Sequence, residues 1–402
     1  MRGGVAVRPL DGRNLPLAAR PARWRAAGFA AALVALVAGV VVVPRYLRAA
    51  ALVVDAAGIE GWPHTLAGWN AAAFRAEDRV VPSRHGPVRA RLYVPEGRPR
   101  RALLLAPGVH AAGMDEARLV DFAGHLASRG YVVLTPDLPD FRRYHVTART
   151  TDTIEDAALW LATRSGVADN GRVGVVGISF AGGLAVAAAG RPALRDHVAF
   201  VLSVGGHGDL DRTLRFLCTG VLDDGTRLVP HDYGVAIVLL AVAAELVPPA
   251  QVEGLRSGIL TFLEASQADT TNKPRAGALF DRARRMERDM AEPAALLLRL
   301  VNRRAVEASG PLLLPYVPAL ASDPALSPER SFPPAAPVYL LHGATDNVIP
   351  TLESRLLARH LERHTRVALL VTPLLTHAEA RPSADLRETW KVVAFWAAVL
   401  DE

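Results

Sequence analysis

The sequence predicts an α/β protein: a mostly parallel sheet with helices on both faces, interrupted by a helical insertion and preceded by one apolar helix at the N-terminus. Three observations predict it. Short continuous apolar runs such as Ala102 to Ala106 recur between stretches of helical spacing, as strands buried on both faces require. That alternation stops over residues 208–335, where only helical stretches occur, and resumes at Val338. Residues 26–43 carry no polar side chain.

Taken in order, residues 1–25 are a basic tail. The first 48 residues hold eight of the 46 bases and one acid, Asp11, which leaves 38 bases against 39 acids for the rest. The net charge of +6 therefore resides at the N-terminus, and the near-neutral body excludes a nucleic-acid partner. As a helix, the run 26–43 spans about 27 Å, close to a bilayer core. It is apolar all round and has no caps, unlike a surface helix of a soluble protein. Six Arg precede it and Arg45 and Arg48 follow, a bias that puts the N-terminus in the cytoplasm and the rest outside. The expectation is a membrane partner through an uncleaved, single-pass signal anchor. The alternative is a signal peptide cleaved near Ala49 to Ala51, giving a secreted protein.

Residues 44–84 show no strong period and read as a tether with short helical pieces, so the sheet domain is placed at 85–207 and 336–402. Val88 to Val94 alternates as a strand, and Ala102 to Ala106 ends at Pro107-Gly108. Asp115 to Ser128 has helical spacing, with Leu119, Phe122 and Leu126 on one face and Gly130 as its stop. Tyr131 to Thr135 is the next strand. Asp152, with Glu155 three residues on, resembles a capping box for a helix running through Thr163. Arg172 to Val176, Phe180 to Ala189 and His197 to Val204 read as strand, helix, strand, implying right-handed crossovers.

Within the insertion, helices are expected at Val235 to Leu246, Gln251 to Glu264, Arg275 to Met290 and Pro293 to Arg304. The apolar run Val235 to Ala244 is ten residues long, too short to span a membrane, and reads as a buried helix of a cap. The sheet resumes with strands at Val338 to Leu341 and Val367 to Val371, and helices at Leu352 to Arg363 and Arg387 to Leu400.

Cys218 is the one cysteine, which excludes an intramolecular disulfide and a cysteine zinc cluster. His360 and His364 have helical spacing without the Glu that follows the first His of a zincin helix. They read as a solvated face; no metal and no cofactor is implied.

The informative segment is Gly177-Ile178-Ser179-Phe180-Ala181, where a strand runs into a helix with no loop. The joint must turn sharply, and small residues two before and two after Ser179 let strand and helix approach. This context resembles the nucleophile elbow of the α/β-hydrolase family, G-x-S-x-G, with Ala181 for the last Gly. Downstream, Leu341-His342-Gly343-Ala344-Thr345-Asp346 looks like the strand end that presents the family's acid, and His377 follows the last strand where the family places its base. The resemblance implies an α/β-hydrolase fold and a Ser179, Asp346, His377 triad whose members lie 167 and then 31 residues apart. A serine hydroxyl is a weak nucleophile, so a base must take its proton and a carboxylate must orient that base.

The resemblance also implies two backbone donors for the oxyanion. One is the N–H of Phe180; the other is the N–H of Val109, in the loop Pro107-Gly108-Val109-His110. His110 could line the site or be an ordinary loop residue, and His342 reads as a packing residue. In the cap, Phe216, Leu217, Tyr233, Leu239, Phe262 and Leu263 could roof an apolar pocket or simply pack on the core. Pro230 to Gly234 reads as a structural knot. Gly205-Gly206-His207-Gly208 matches no phosphate fingerprint.

The resulting expectation is a serine hydrolase of carboxylesterase type acting on a small-molecule ester with an apolar acyl or alcohol group. Similarity to dienelactone-hydrolase and serine-aminopeptidase members makes a lactonase or peptidase the nearest alternative. A non-catalytic binding protein of the same fold at the membrane is the alternative of another class.

Overall fold

The computed structural model describes residues 39, 42–69, 71–168, 170–377 and 385–402. The basic tail 1–25 lies outside them, as does the apolar run 26–43 apart from Gly39, Val42 and Val43. Among the described residues, no helix is long and apolar enough to cross a membrane. The chain falls into two units, residues 1–47 and 48–402; the sheet, the cap and the candidate site all belong to the second.

The stretch read as a tether is structured. It contains helices α1 (Val43–Ala56) and α2 (Trp62–Gly68) and the first strand, β1 (Phe74–Val81), so the sheet begins before residue 85. Arg129 ties this segment down, donating to the Asp55 carboxylate and the Ala67 carbonyl. The strand is hidden in the sequence because Arg75, Glu77, Asp78 and Arg79 interrupt any alternation. As an edge strand, exposed along most of its length, it has little need to alternate, and its charges blunt the open edge.

The remaining strands are β2 (Val88–Pro95), β3 (Ala102–Ala106), β4 (Val132–Pro136), β5 (Val173–Ile178), β6 (Val198–Val204), β7 (Val338–Gly343) and β8 (Val367–Thr372). All eight form one sheet in the order β1-β2-β4-β3-β5-β6-β7-β8. The pairs β1–β2 and β2–β4 are antiparallel, and from β4 onward every pair is parallel. The continuous apolar run of β3 is buried at every residue, as a strand with helices on both faces must be.

Helices α3 (Ala117–Ser128), α4 (Pro139–Arg142), α5 (Ala148–Thr163) and α6 (Phe180–Gly190) form or accompany the crossovers of the first half. The capping-box reading of Asp152 and Glu155 is corrected: α5 starts four residues earlier, after Thr147. The two carboxylates instead pair with Arg191 at 2.6 and 2.8 Å, and Glu155 also meets Arg84 at 2.7 Å. An acid pair at i, i+3 looks the same whether it caps a helix or faces cations brought from elsewhere.

Between β6 and β7 the cap contributes α7 (Leu210–Thr219), α8 (Asp232–Leu246), α9 (Pro249–Thr271), α10 (Lys273–Arg288), α11 (Ala294–Asn302), α12 (Val306–Leu313) and α13 (Val317–Leu320). Helix α8 is apolar on all sides and buried from Gly234 to Leu240. It belongs to the same hydrophobic core as the sheet, with Phe216, Leu217, Leu239, Phe262 and Leu263, so these five pack on the core and Tyr233 alone of the named six reaches toward the site. The cap's two ends meet: the Glu329 N–H donates to the Gly208 carbonyl at 3.1 Å. Arg212 pairs there with Glu329 at 2.8 Å and Glu353 at 2.6 Å. The chain finishes with α14 (Thr351–Leu361) and α15 (Leu386–Val399).

Candidate active site

Ser179 sits between the last residue of β5 and the first of α6, at φ 58° and ψ −132°. A non-glycine residue pays about 1–3 kcal/mol for such a conformation and keeps it only where its surroundings insist. Here they do. The Ser179 N–H donates to the Val204 carbonyl of neighbouring β6 at 2.8 Å, and its carbonyl accepts from the Gly182 N–H at 2.7 Å. A Cβ on Gly177 would lie 2.2 Å from the Ala181 carbonyl oxygen, so glycine is obligatory two residues before the serine. Ala181 is fully buried, and its methyl is accommodated where the family pattern has glycine.

Asp346 follows the end of β7 and is 2% exposed. Its Oδ1 accepts the N–H groups of Val348 and Ile349 at 2.9 and 3.0 Å. Its Oδ2 faces His377 Nδ1 at 2.7 Å, and His377 Nε2 lies 2.7 Å from Ser179 Oγ. The carboxylate requires a proton on Nδ1, which leaves Nε2 free to accept from the serine. Burial alone would push the Asp346 carboxyl up, but His377 and His342 outweigh it and hold the group well below the usual carboxylate range. The serine is 7% exposed.

His342, read from sequence as a packing residue, is fully buried. Its Nε2 donates to the Ile349 carbonyl at 2.8 Å and its Nδ1 lies 2.6 Å from Ser354 Oγ. The same Nε2 stands 3.4 Å from Asp346 Oδ2, so the packing residue also biases the acid electrostatically. His360 and His364 lie side by side, rings 5.7 Å apart, one within α14 and the other just beyond it.

The histidine loop can come this close because two strand ends lack side chains. A Cβ on Gly343, at the end of β7, would meet the carbonyl oxygens of Thr376 at 2.4 Å and Leu375 at 2.6 Å. One on Gly205, just past β6 and at φ +62°, would lie 3.0 Å from the His377 carbonyl oxygen. Neither glycine was singled out as a site residue from sequence; a glycine directly at the end of a parallel strand was the available signal.

Phe180 opens α6, so its N–H is one of the unpaired groups at a helix start. The loop after β3 lies against the serine: a Cβ on Gly108 would be 3.4 Å from the Ser179 Cβ. Val109 is thereby brought beside the site. Its carbonyl accepts from the Tyr233 hydroxyl at 2.9 Å, a contact from the cap that sequence reasoning missed. His110 turns into its own loop, its Nδ1 accepting the Ala112 N–H at 3.0 Å.

The sheet order, the strand–serine–helix joint and the order Ser, Asp, His along the chain define the α/β-hydrolase fold. No family model matches the sequence, and no curated protein does. Among solved structures the chain is similar to an esterase of the hyperthermophilic archaeon Pyrobaculum calidifontis, at 18% identity over 89% of this chain and 92% of that one, with a TM-score of 0.43. It is similar to an acylaminoacyl peptidase of Pyrococcus horikoshii at 14% identity, over 85% of this chain and 43% of that one, with a TM-score of 0.45. A dienelactone hydrolase from Anabaena variabilis has 15% identity over 81% of this chain and 96% of that one, with a TM-score of 0.41.

Proposed function

We propose that the protein is a serine hydrolase that cleaves a carboxylic ester through an acyl-enzyme on Ser179. The observation that carries this reading is the unbroken line from Ser179 Oγ through His377 to Asp346, each step 2.7 Å. In the proposed mechanism, Oγ attacks the ester carbonyl while His377 Nε2 takes its proton. Asp346 stays ionised and holds the imidazole in the required tautomer. The N–H groups of Phe180 and Val109 receive the developing oxyanion. The imidazolium then protonates the departing alcohol, and a water activated by the same histidine releases the acid.

Labelling by a fluorophosphonate probe, lost in Ser179→Ala, tests this reading, and a folded but unlabelled wild type would favour the non-catalytic binding protein. Ester turnover should fall about 10⁶-fold in the same variant. The near-neutral body and apolar cap support an uncharged substrate. A p-nitrophenyl ester chain-length series against aminoacyl amides and a lactone decides the class; turnover of the amides alone would make the protein a peptidase, and of the lactone alone a lactonase.

We further propose that residues 26–43 anchor the protein in a membrane, N-terminus inside and hydrolase domain outside, on the strength of the apolar run and its Arg flank. Protease added to intact spheroplasts should then digest residues 85–402; their survival would overturn this orientation.

A further inference from the structure

The cap does more than cover the sheet at one place: residues 229–233, at and just before the start of α8, touch both sides of the candidate site. On the acid side, the His231 N–H donates to the Asn347 carbonyl at 2.9 Å, and Asn347 Nδ2 donates to the Val229 carbonyl at 3.2 Å. On the oxyanion side, the Tyr233 hydroxyl donates to the Val109 carbonyl at 2.9 Å. Gln267 Nε2, from α9, donates to that same hydroxyl at 3.2 Å. With its oxygen already accepting from Gln267, the tyrosine has its proton aimed at Val109.

We propose that Tyr233 is a positioning residue for the oxyanion donor: its clamp on the Val109 carbonyl sets the direction of the Val109 N–H. This rests on the serine-hydrolase reading and deepens it. The loop has little stiffness of its own at this point. Gly108 contributes no side chain, and the bonds from the Ala112 N–H to His110 Nδ1, from the Gly113 N–H to the His110 carbonyl at 3.0 Å and from Arg142 Nε to the Ala111 carbonyl at 3.1 Å all lie downstream. Gly108 rests against Ser179 on one side of Val109 and the Tyr233 hydroxyl pins the following peptide on the other, so the Gly108–Val109 peptide between them is restricted in how far it can turn. An oxyanion donor acts only if it is aimed before the charge develops. The tyrosine is itself held, its ring 6.2 Å and 70° from that of Tyr144, a buried residue at φ 61°.

Tyr233→Phe keeps that ring contact and removes only the hydroxyl. On p-nitrophenyl butyrate, kcat should fall about tenfold, less than the cost of deleting a donor outright, with KM within twofold. Fluorophosphonate labelling of Ser179 should slow by the same factor, and the pH midpoint of kcat should stay in place because His377 and Asp346 are untouched. Gln267→Leu should cost less, and the double variant should match Tyr233→Phe alone, since both act through one hydroxyl. Equal labelling rates in wild type and Tyr233→Phe, a loss confined to KM, or additive losses in the double variant would each overturn the clamp while leaving the hydrolase standing. A wild type that takes no label would remove both.

Discussion

Ser179 is admitted by small residues two positions either side of it and held by the Gly182 N–H and the Val204 carbonyl of neighbouring β6, whereas His377 is admitted by glycines 34 and 172 residues away along the chain. On the serine side, Gly177 and Ala181 let one strand and one helix meet, and the strained backbone follows from their contact. On the histidine side, Gly343 and Gly205 close two other strands and merely leave room. The close approach in the first arrangement is written where it acts; the second is written as the absence of side chains on neighbours. A local joint fails all at once, while a loop given room can shift by degrees.

Substitutions that fill these spaces should act differently on the two sides. Gly177→Ala drives a methyl into the Ala181 backbone, and a helix cannot yield there without moving Ser179. Ester turnover should drop about 10⁴-fold or more, the scale of losing a triad member, with the melting temperature falling as well. Gly343→Ala meets the carbonyls of a loop that can retreat; about 10²-fold in kcat is expected from displacing His377 by roughly 1 Å, with circular dichroism unchanged. If Gly343→Ala unfolded the protein and Gly177→Ala did not, the contrast between the two sides would be reversed.

His342→Gln keeps a donor for the Ile349 carbonyl and takes away the imidazole beside Asp346. About a tenfold loss of kcat, or 1.4 kcal/mol, fits one weakened polar contact to a charge, read from steady-state rates with KM unchanged.

His207 packs behind the serine side, its ring 5.6 Å from that of Phe180, and burial pushes its pKa down to about 4. The unfolded chain takes up this proton near pH 6.5 and the folded one only near 4, so stability falls as pH drops between those values and the loss is complete below them. The single-site cost is about 3 kcal/mol. Denaturant titrations at pH 7 and 4 should show a smaller drop in His207→Asn than in wild type; identical drops would clear His207 of the effect.

Much of this was legible in the sequence. Strands β2 to β8 lie within two residues of their expected ends, because buried parallel strands leave continuous runs, whereas helices α4, α7, α12 and α13 had no expected counterpart and α9 runs seven residues past Glu264. The three side chains of the candidate triad were legible because each stands at a strand end, in a setting that can be read one segment at a time. What escaped was relational. Strand β1 carries charges an edge tolerates, and Asp152 with Glu155 looks like a cap until Arg84 and Arg191 arrive. Gly205, Gly343 and the hydroxyl of Tyr233 acquire meaning only from partners that folding supplies.

The meeting of Gly208 and Glu329 has a consequence for how such a protein can change. The cap enters and leaves the sheet through a doorway one hydrogen bond wide, bolted by Arg212 between two carboxylates. A different insertion could be spliced at those two thresholds without rerouting the strands that carry Ser179, Asp346 and His377. It would have to bring its own apolar face for the shared core and its own hydroxyl for Val109. Such an exchange would replace the roof and leave the three strand ends beneath it in place.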